Sequence, residues 1–213
     1  MLLVLKKKLY KSPWREKLFR LGLRKRLRNK DFTIICNNCW AGSVYEDLGL
    51  PYNTPTVGLF FYAPCYMKFL RNINHYLQFP LTFKERSAYP LANERRERKK
   101  YPVGVLDDIE IHFLHYKSNE EAYEKWKRRA ARINFNNLYV AFSDVDLCTV
   151  KEMKEFDGMN FSNKVFFSAK CYEGIDSLVW LKSYIGYDHV GDLVNNRWSY
   201  RKYFDVIKWL NKR

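Results

Sequence analysis

The chain has 213 residues, 47% hydrophobic and 17% aromatic, enough for one substantial core but too few for a second full domain. That apolar content excludes an intrinsically disordered chain. Residues 1–30 hold twelve Lys and Arg against Glu16 alone and so carry +11 of the net +15; the remaining +4, spread over 183 residues, excludes a uniformly polycationic surface.

The chain opens on Met1-Leu2-Leu3-Val4-Leu5, apolar but followed rather than preceded by Lys6, the reverse of secretory-signal order. In the basic arm that follows, Ser12 with Pro13 makes a good helix start. Leu18, Phe19, Leu21, Leu23 and Leu27 then alternate with Arg15, Lys17, Arg20, Arg24, Lys25, Arg26 and Arg28, the apolar positions spreading over more than one face. Such a segment fits a helix lying on an anionic membrane surface. Two other readings compete: a helix packed on the domain with its charges in water, and, ranked last, nucleic-acid binding through the same cations.

From residue 31 to 213 short apolar runs alternate with helical spacing. This predicts one α/β domain, a three-layer Rossmann-like fold with a mainly parallel sheet, preceded by the basic amphipathic arm of residues 1–30. Residues 32–36 read as the first strand, 37–42 as a loop, and Ser43 to Glu46 as a capping box opening a helix that Gly49 stops. A second apolar run follows at 56–62. The stretch at 57–67 is too short to cross a bilayer and contains Pro64. Met67, Leu70, Ile73 and Leu77 keep helical spacing.

Residues 80–102 are polar, charged and bounded by prolines, and read as a long surface loop. Residues 109–113 alternate like a half-buried strand, Ser118 to Glu121 caps a helix, and 138–142 is a buried strand. A further capping box runs from Thr149 to Glu152; strand candidates at 165–167 and 178–181 and a closing helix through Tyr203, Ile207 and Leu210 complete the pattern.

Ligands of open α/β sheets bind at the carboxyl ends of the strands. That rule selects the loops at 36–42, 112–116, 143–146 and 168–171, the last with Ser168 and Lys170. Asn37, Asn38 and Trp40 lead into a helix start at Ser43 that favours an anion, and the asparagines fit a sugar, a base or a phosphate. They equally fit capping and turning the chain. Gly42 alone makes neither a dinucleotide fingerprint nor a P-loop. Cys36 and Cys39 form a C-x-x-C with no second pair to complete a zinc set. Two small residues at a turn is the plainer account.

Asp144 and Asp146 end an apolar strand as D-x-D, a pair suited to holding Mg²⁺ or Mn²⁺ against a diphosphate; capping the chain before Thr149 is the alternative. His112, with Glu110 beside it and His115 three residues on, is a candidate general base or ligand. Arg128 and Arg129 could offset phosphate charge, although a solvated basic face is the simpler role. No G-x-S-x-G elbow or H-E-x-x-H motif is present. Cys36, Cys39, Cys65, Cys148 and Cys171 make no even framework, which points to reduced thiols and a cytoplasmic setting.

Several long motifs occur together: I-I-C-N-N-C-W-A-G at 34–42, Y-N-T-P-T-V-G-L-F at 52–60, D-D-I-E-I-H-F-L-H-Y at 107–116, E-E-A-Y-E-K-W-K-R-R-A-A-R-I-N at 120–134, S-D-V-D-L-C-T at 143–149, N-K-V-F-F-S at 163–168 and I-K-W-L-N at 207–211. Together they resemble a bacterial domain family of unknown function whose members are often labelled exopolysaccharide or capsular polysaccharide biosynthesis proteins. The resemblance covers about residues 31–211 and leaves the arm outside. This chain departs from the family pattern at Cys36, where serine is common, and at Ala41, where glycine is. The resemblance implies a role in cell-surface glycan assembly and supplies no catalytic residues. The expectation is a peripheral transferase on the inner face of the cell membrane, using a sugar nucleotide or another phosphorylated donor. A non-catalytic glycan- or lipid-carrier-binding module is the alternative.

Overall fold

The computed structural model describes residues 13–212, so Ser12 of the expected helix cap and the residues before it lie outside it. In chain order the elements are α1 (Pro13–Arg26), β1 (Thr33–Cys36), α2 (Trp40–Leu48), α3 (Ala63–Arg71), α4 (Ile73–Gln78), β2 (Thr82–Lys84), α5 (Pro90–Arg98), β3 (Val103–Leu106), β4 (Ile109–His112), α6 (Asn119–Ala130), β5 (Leu138–Ser143), α7 (Val150–Gly158), β6 (Lys164–Ser168), β7 (Leu178–Trp180), α8 (Trp198–Arg201) and α9 (Val206–Leu210).

The main sheet is parallel, in the order β1-β5-β6-β7, with Ile35 opposite Val140 and Ala141 opposite Val165. Side chains alternate across it. Ile35, Val140, Phe142 and Phe166 enter one core with Phe69 of α3, Trp126 of α6 and Phe156 of α7. Ile34, Cys36, Tyr139, Ala141 and Phe167 enter the other with Trp40 of α2, Tyr200 of α8 and Trp209 of α9. Burial on both faces explains why these strands read as continuous apolar runs, and it gives the expected three layers.

Several local expectations change. The run at 109–113 does not join the parallel sheet: β4 pairs antiparallel with β3, and β3 with β2. The β3–β4 turn is Asp107-Asp108, with Asp107 at φ 53°, a conformation Asp tolerates because its short side chain bonds locally. Residues 80–102, expected as a long loop, contain β2 and α5. Pro90 fixes the first turn of α5, and the helix-forming L-A-N-E-R-R-E-R carries it on. The run at 56–62 bends at Gly58 and is then extended, bridging to β4 at Phe60–His112 without joining the parallel sheet as a strand.

The second helix starts at Trp40, three residues before the expected capping box. Ser43 is therefore inside it, and its hydroxyl donates to the Trp40 carbonyl at 2.8 Å. Gly49 ends this helix at φ 67°, and its N–H closes onto the Glu46 and Tyr45 carbonyls. The capping box at Thr149 forms as expected, with Glu152 reaching back to the Thr149 N–H at 3.0 Å.

α1 packs on the domain. Glu16, Phe19, Arg20, Leu23 and Leu27, spaced i, i+3, i+4, i+7 and i+11, form its inward stripe. Leu23 and Leu27 enter the second core, and Phe19 lies 5.0 Å from Trp198. Arg20 reaches Asp47 at 3.1 Å, Arg24 donates to the Asp47 carbonyl at 3.0 Å, and Arg26 pairs with Asp205. The arm is therefore part of the fold from Pro13 onward, as the packed-helix reading required. No helix among the described residues is long and apolar enough to cross a membrane.

Candidate functional site

Four polar segments meet at the carboxyl ends of β1 and β5. The chain leaves β1 through Asn37 and Asn38 and turns into α2 at Cys39, whose side chain makes no cap bond to the helix. The extended run at 59–61 lies alongside: Phe61 N–H donates to the Asn37 carbonyl at 2.9 Å, and the Cys39 thiol to the Leu59 carbonyl at 3.5 Å. Gly58, at φ 72°, brings His115 in, because its carbonyl accepts from His115 N–H at 2.9 Å. A Cβ on Gly58 would stand 3.3 Å from the His115 Cβ and 3.1 Å from the Tyr116 ring, so close approach as well as positive φ calls for glycine.

Around this point charges converge from distant parts of the chain. Burial pushes the Cys39 thiol up to about 11, and Asp192, Lys99 and Asp146 all act on it. Burial, then Lys99, holds His115 below the ordinary histidine value, while Asp192 opposes them. Asp146 sits at φ 53°, its carbonyl accepting from Ala63 at the start of α3 and its carboxylate paired with Arg95 of α5 at 2.9 Å. Burial raises the Asp146 pKa against Arg95 and His189. Arg95 of α5 and Lys99 just beyond it, His115 from the β4–α6 connection, and His189 and Asp192 from the loop after β7 thus lie toward the amino end of α2, together with the carboxylate of Asp146.

Most of the expected site residues have structural employment instead. Asn37 is fully buried: its amide donates to the Ser143 carbonyl at 3.3 Å and accepts from Ser143 N–H at 3.2 Å, tying β1 to β5. Asn38 accepts from Trp40 N–H at 3.0 Å and donates to Ser143 Oγ at 3.1 Å, so it caps α2. Trp40 is a core side chain against Phe167 and Tyr200. Arg129 is buried, bonded to the Tyr116 hydroxyl at 2.6 Å and lying 5.0 Å from the Tyr52 ring, while Arg128 is exposed on α6.

The D-x-D expectation for a divalent metal does not fit. One Asp144 oxygen accepts from Ser168 Oγ at 2.7 Å and Ala169 N–H at 2.8 Å, and the other from Val190 N–H at 2.8 Å. Asp144 and Ser168 thus tie β5, β6 and the loop after β7 together, and Asp146 faces Arg95. Among the described residues no group of three or more His, Cys, Asp or Glu is arranged to hold a metal ion. Lys170 lies on the exposed rim, paired with Asp188 at 3.0 Å.

His112, a candidate general base or ligand in the sequence, is fully buried in an aromatic cluster. It has no exposed surface and stacks on Phe60 at 4.7 Å, with the rings of Tyr62, Tyr89 and Tyr101 within 6.2 Å. Neither of its ring nitrogens has a hydrogen-bond partner; Glu110 lies 3.6 Å away, and burial lowers the His112 pKa to about 4. Burial pushes Glu110 up, but Lys84, Ser87 and Ala88 hydrogen-bond its carboxylate and leave it net below the ordinary value.

Of the expected residues, His115 and Asp146 lie near Cys39 at this end of the sheet, their side chains not tied to backbone groups among the described residues as those of Asn37 and Asn38 are. Sequence reasoning missed Cys39, Arg95, Lys99, His189 and Asp192. Cys39 was visible at a strand end but discounted as half of a C-x-x-C. Arg95 and Lys99 sat in the supposed loop, and the polar G-Y-D-H-V-G-D at 186–192 follows β7, whose outgoing loop the strand-end rule would have selected. Surface cavities lie elsewhere, one of about 840 Å³ between α1 and residues 194–199 and one of about 1030 Å³ at the amino ends of the parallel strands.

Residues 11–211 match a family described as a domain of unknown function, DUF1919, so the match extends through most of the basic arm that the motif resemblance left outside. An uncharacterized protein of Haemophilus influenzae is 37% identical over 193 residues, covering 89% of this chain and 88% of that protein.

Proposed function

We propose that this chain, which belongs to the DUF1919 family, is a group transferase of cell-surface polysaccharide assembly that takes a phosphorylated donor at the carboxyl end of its parallel sheet. One observation carries the reading. Arg95, Lys99, a histidine of lowered pKa and the amino end of α2 lie toward one end of the parallel sheet, with Asp146 and Asp192 among them. That is a suitable electrostatic setting for a phosphate group and for proton transfer beside it. The polysaccharide setting rests on the motif resemblance. The reading assigns no metal to Asp144, whose oxygens are already bonded.

The outward stripe of α1 supports a position at an anionic membrane. Trp14, Lys17, Leu18, Leu21 and Lys25 are spaced i, i+3, i+4, i+7 and i+11, and the three apolar members are 73%, 54% and 44% exposed. An apolar strip flanked by lysines matches the acyl-headgroup boundary of an anionic leaflet. Nucleic-acid binding loses support because Arg20, Arg24 and Arg26 are spent on Asp47 and Asp205.

A second reading, a non-catalytic glycan- or lipid-carrier-binding module, is favoured by the structural commitment of Asn37, Asn38, Asp144 and Ser168. A thermal-shift screen of the full chain against sugar nucleotides and other phosphorylated donors separates the two. Stabilisation by one donor class, lost in Lys99→Ala and Arg95→Ala and indifferent to Mg²⁺ or Mn²⁺, supports the transferase. No shift with any donor, together with binding of glycans or lipid carriers, establishes the module.

A further inference from the structure

We propose that the cavity at the amino ends of the parallel strands is a binding site for an acidic saccharide, a sugar carrying a carboxylate or another negative charge. It goes beyond the transferase reading and does not depend on it. The six residues of β5 alone set this end of the sheet about 17 Å from the other, at roughly 3.3 Å per residue.

The cavity, of about 1030 Å³, opens where three connections enter the sheet: residues 28–31 before β1, 134–137 before β5 and 160–163 before β6. One part of its lining is a fixed asparagine network. Asn29 Nδ2 donates to the Asn137 oxygen at 3.4 Å, and Asn137 Nδ2 to the Asn29 oxygen at 2.9 Å. Asn29 also donates to the Leu210 carbonyl at 2.9 Å, and Asn134 to the Asp31 carboxylate at 2.9 Å. These three amides are spent on the fold.

A second set is not. The side chains of Asn136, Asn160, Ser162 and Asn163 line the same cavity and have no hydrogen-bond partner among the described residues. Asparagine is common in turns because it tolerates a left-handed backbone or bonds its own turn. Neither reason holds at Asn136, Asn160 or Asn163, whose φ angles are not positive and whose amides make no turn bond. The backbone nevertheless places them: the Asn163 carbonyl accepts from Val140 N–H at 2.8 Å, and Asn136 N–H donates to the Asn134 side chain at 3.1 Å. Three amides and a hydroxyl, each able to donate and accept, suit the hydroxyls of a sugar.

The charge of the cavity is also unbalanced. Arg28, Lys30 and Lys212 line it against the carboxylate of Asp31, and none of the three has an ion-pair partner among the described residues. In the cavity beside α1, by contrast, Arg20 and Arg197 already share Asp47. An anion held here gains counter-charges that the fold does not use. Phe135, 49% exposed, adds an apolar ring that can cover the C–H face of a sugar. Phe161, the other aromatic ring of the lining, packs against the core. Successive bases of a single-stranded nucleic acid would therefore lack the row of stacking platforms they use.

The test is calorimetric titration of the full chain with trigalacturonate and with a hyaluronan hexasaccharide, maltotriose serving as the uncharged counterpart. At least one acidic sugar should bind, and maltotriose should bind about tenfold more weakly or not at all. Asn160→Ala with Asn163→Ala removes hydrogen bonds without changing charge and should weaken binding about tenfold. Lys30→Ala should weaken it as well, while Lys151→Ala, the same charge change at the exposed start of α7, should not. The replaced asparagine and Lys30 side chains make no bond among the described residues, so Tm should stay near the parent value.

Absence of binding by both acidic sugars, or maltotriose binding as tightly, overturns the proposal. So does equal weakening in Lys151→Ala and Lys30→Ala with the asparagine pair unaffected, which marks general attraction of a basic protein for polyanions. A hexathymidylate that binds more tightly than either sugar and loses affinity in the asparagine pair assigns the cavity to nucleic acid instead. Failure here is distinct from failure of the donor screen, which is read through Arg95 and Lys99 at the other end of the sheet.

Discussion

Arg201 and Asp47 form a buried ion pair, Nη2 to Oδ2 at 2.6 Å, that joins α8 to α2 with side chains only 4% and 3% exposed. Arg201 also holds Glu16 of α1 through both nitrogens at 3.0 Å, and Asp47 accepts from Arg20 and Arg197 as well. One carboxylate thus fastens three helices. A lone buried carboxylate or guanidinium is costly because neither has water to replace the lost partner.

Replacing Asp47 by Ala removes the buried carboxylate that Arg201, Arg197 and Arg20 share and leaves Glu16 and Glu46 as the remaining counter-charges of Arg201 and Arg197. The expected loss is about 3 kcal/mol of stability, equivalent to a fall in Tm on the order of 10 °C for a chain of this size. Calorimetry checks it. The change should be much larger than for Lys170→Ala, whose partner Asp188 is on the exposed rim.

His112 predicts a pH dependence. Its folded pKa, about 4, lies below its unfolded value, so the unfolded chain binds more protons between roughly pH 6.5 and pH 4. The stability contributed by keeping it neutral is full above the unfolded pKa. It is lost as pH falls toward the folded one, by at most about 1.4 kcal/mol per pH unit. Urea melts at pH 7, 6 and 5 should show this slope, and His112→Phe should flatten it at little cost at pH 7, since the ring nitrogens have no partner to lose.

Asn37→Ala breaks both amide bonds to Ser143 and leaves two buried backbone groups unpaired. An expected loss of about 2–3 kcal/mol follows, read as a lower urea midpoint with unchanged slope. A ligand role alone would leave stability of the free protein intact, so the same measurement separates the two uses of this residue.

The two stripes of α1 predict separable effects. Trp14→Ser with Leu18→Ser and Leu21→Ser should abolish co-sedimentation with anionic vesicles while leaving Tm near the parent value. Leu23→Ala should lower stability by about 2–4 kcal/mol and leave vesicle binding largely intact at low temperature. Sedimentation with neutral vesicles equal to that with anionic ones would remove the electrostatic part of the reading.

The buried strands, the cap at Thr149, the glycine stop at Gly49 and the α/β order were legible because each depends on near neighbours in the chain. Apolar runs such as L-Y-V-A-F declare a strand covered on both faces, and a capping box closes over four residues. The second sheet was less visible. Its strand at 109–112 alternates where the parallel strands are continuously apolar, but alternation does not name the pairing partner, and only the Asp107-Asp108 turn points to the hairpin with β3. The inward and outward stripes of α1 were both present as spacing, but which one packs depended on Asp47 and Arg201, remote in sequence.

The site belongs to the tertiary structure almost entirely. Asn37, Asp144 and His112 have residue types that chemistry uses, yet their partners Ser143, Val190 and Phe60 convert them to ties and core. Cys39, His115, Lys99 and Asp192 are scattered over more than 150 positions of the chain, and each is unremarkable alone. The sequence by itself determined the layers, because burial periodicity is a local property of a strand or helix. Only the fold decided which polar groups meet, because their meeting depends on β1 and β5 lying side by side and on loops that no short-range pattern positions.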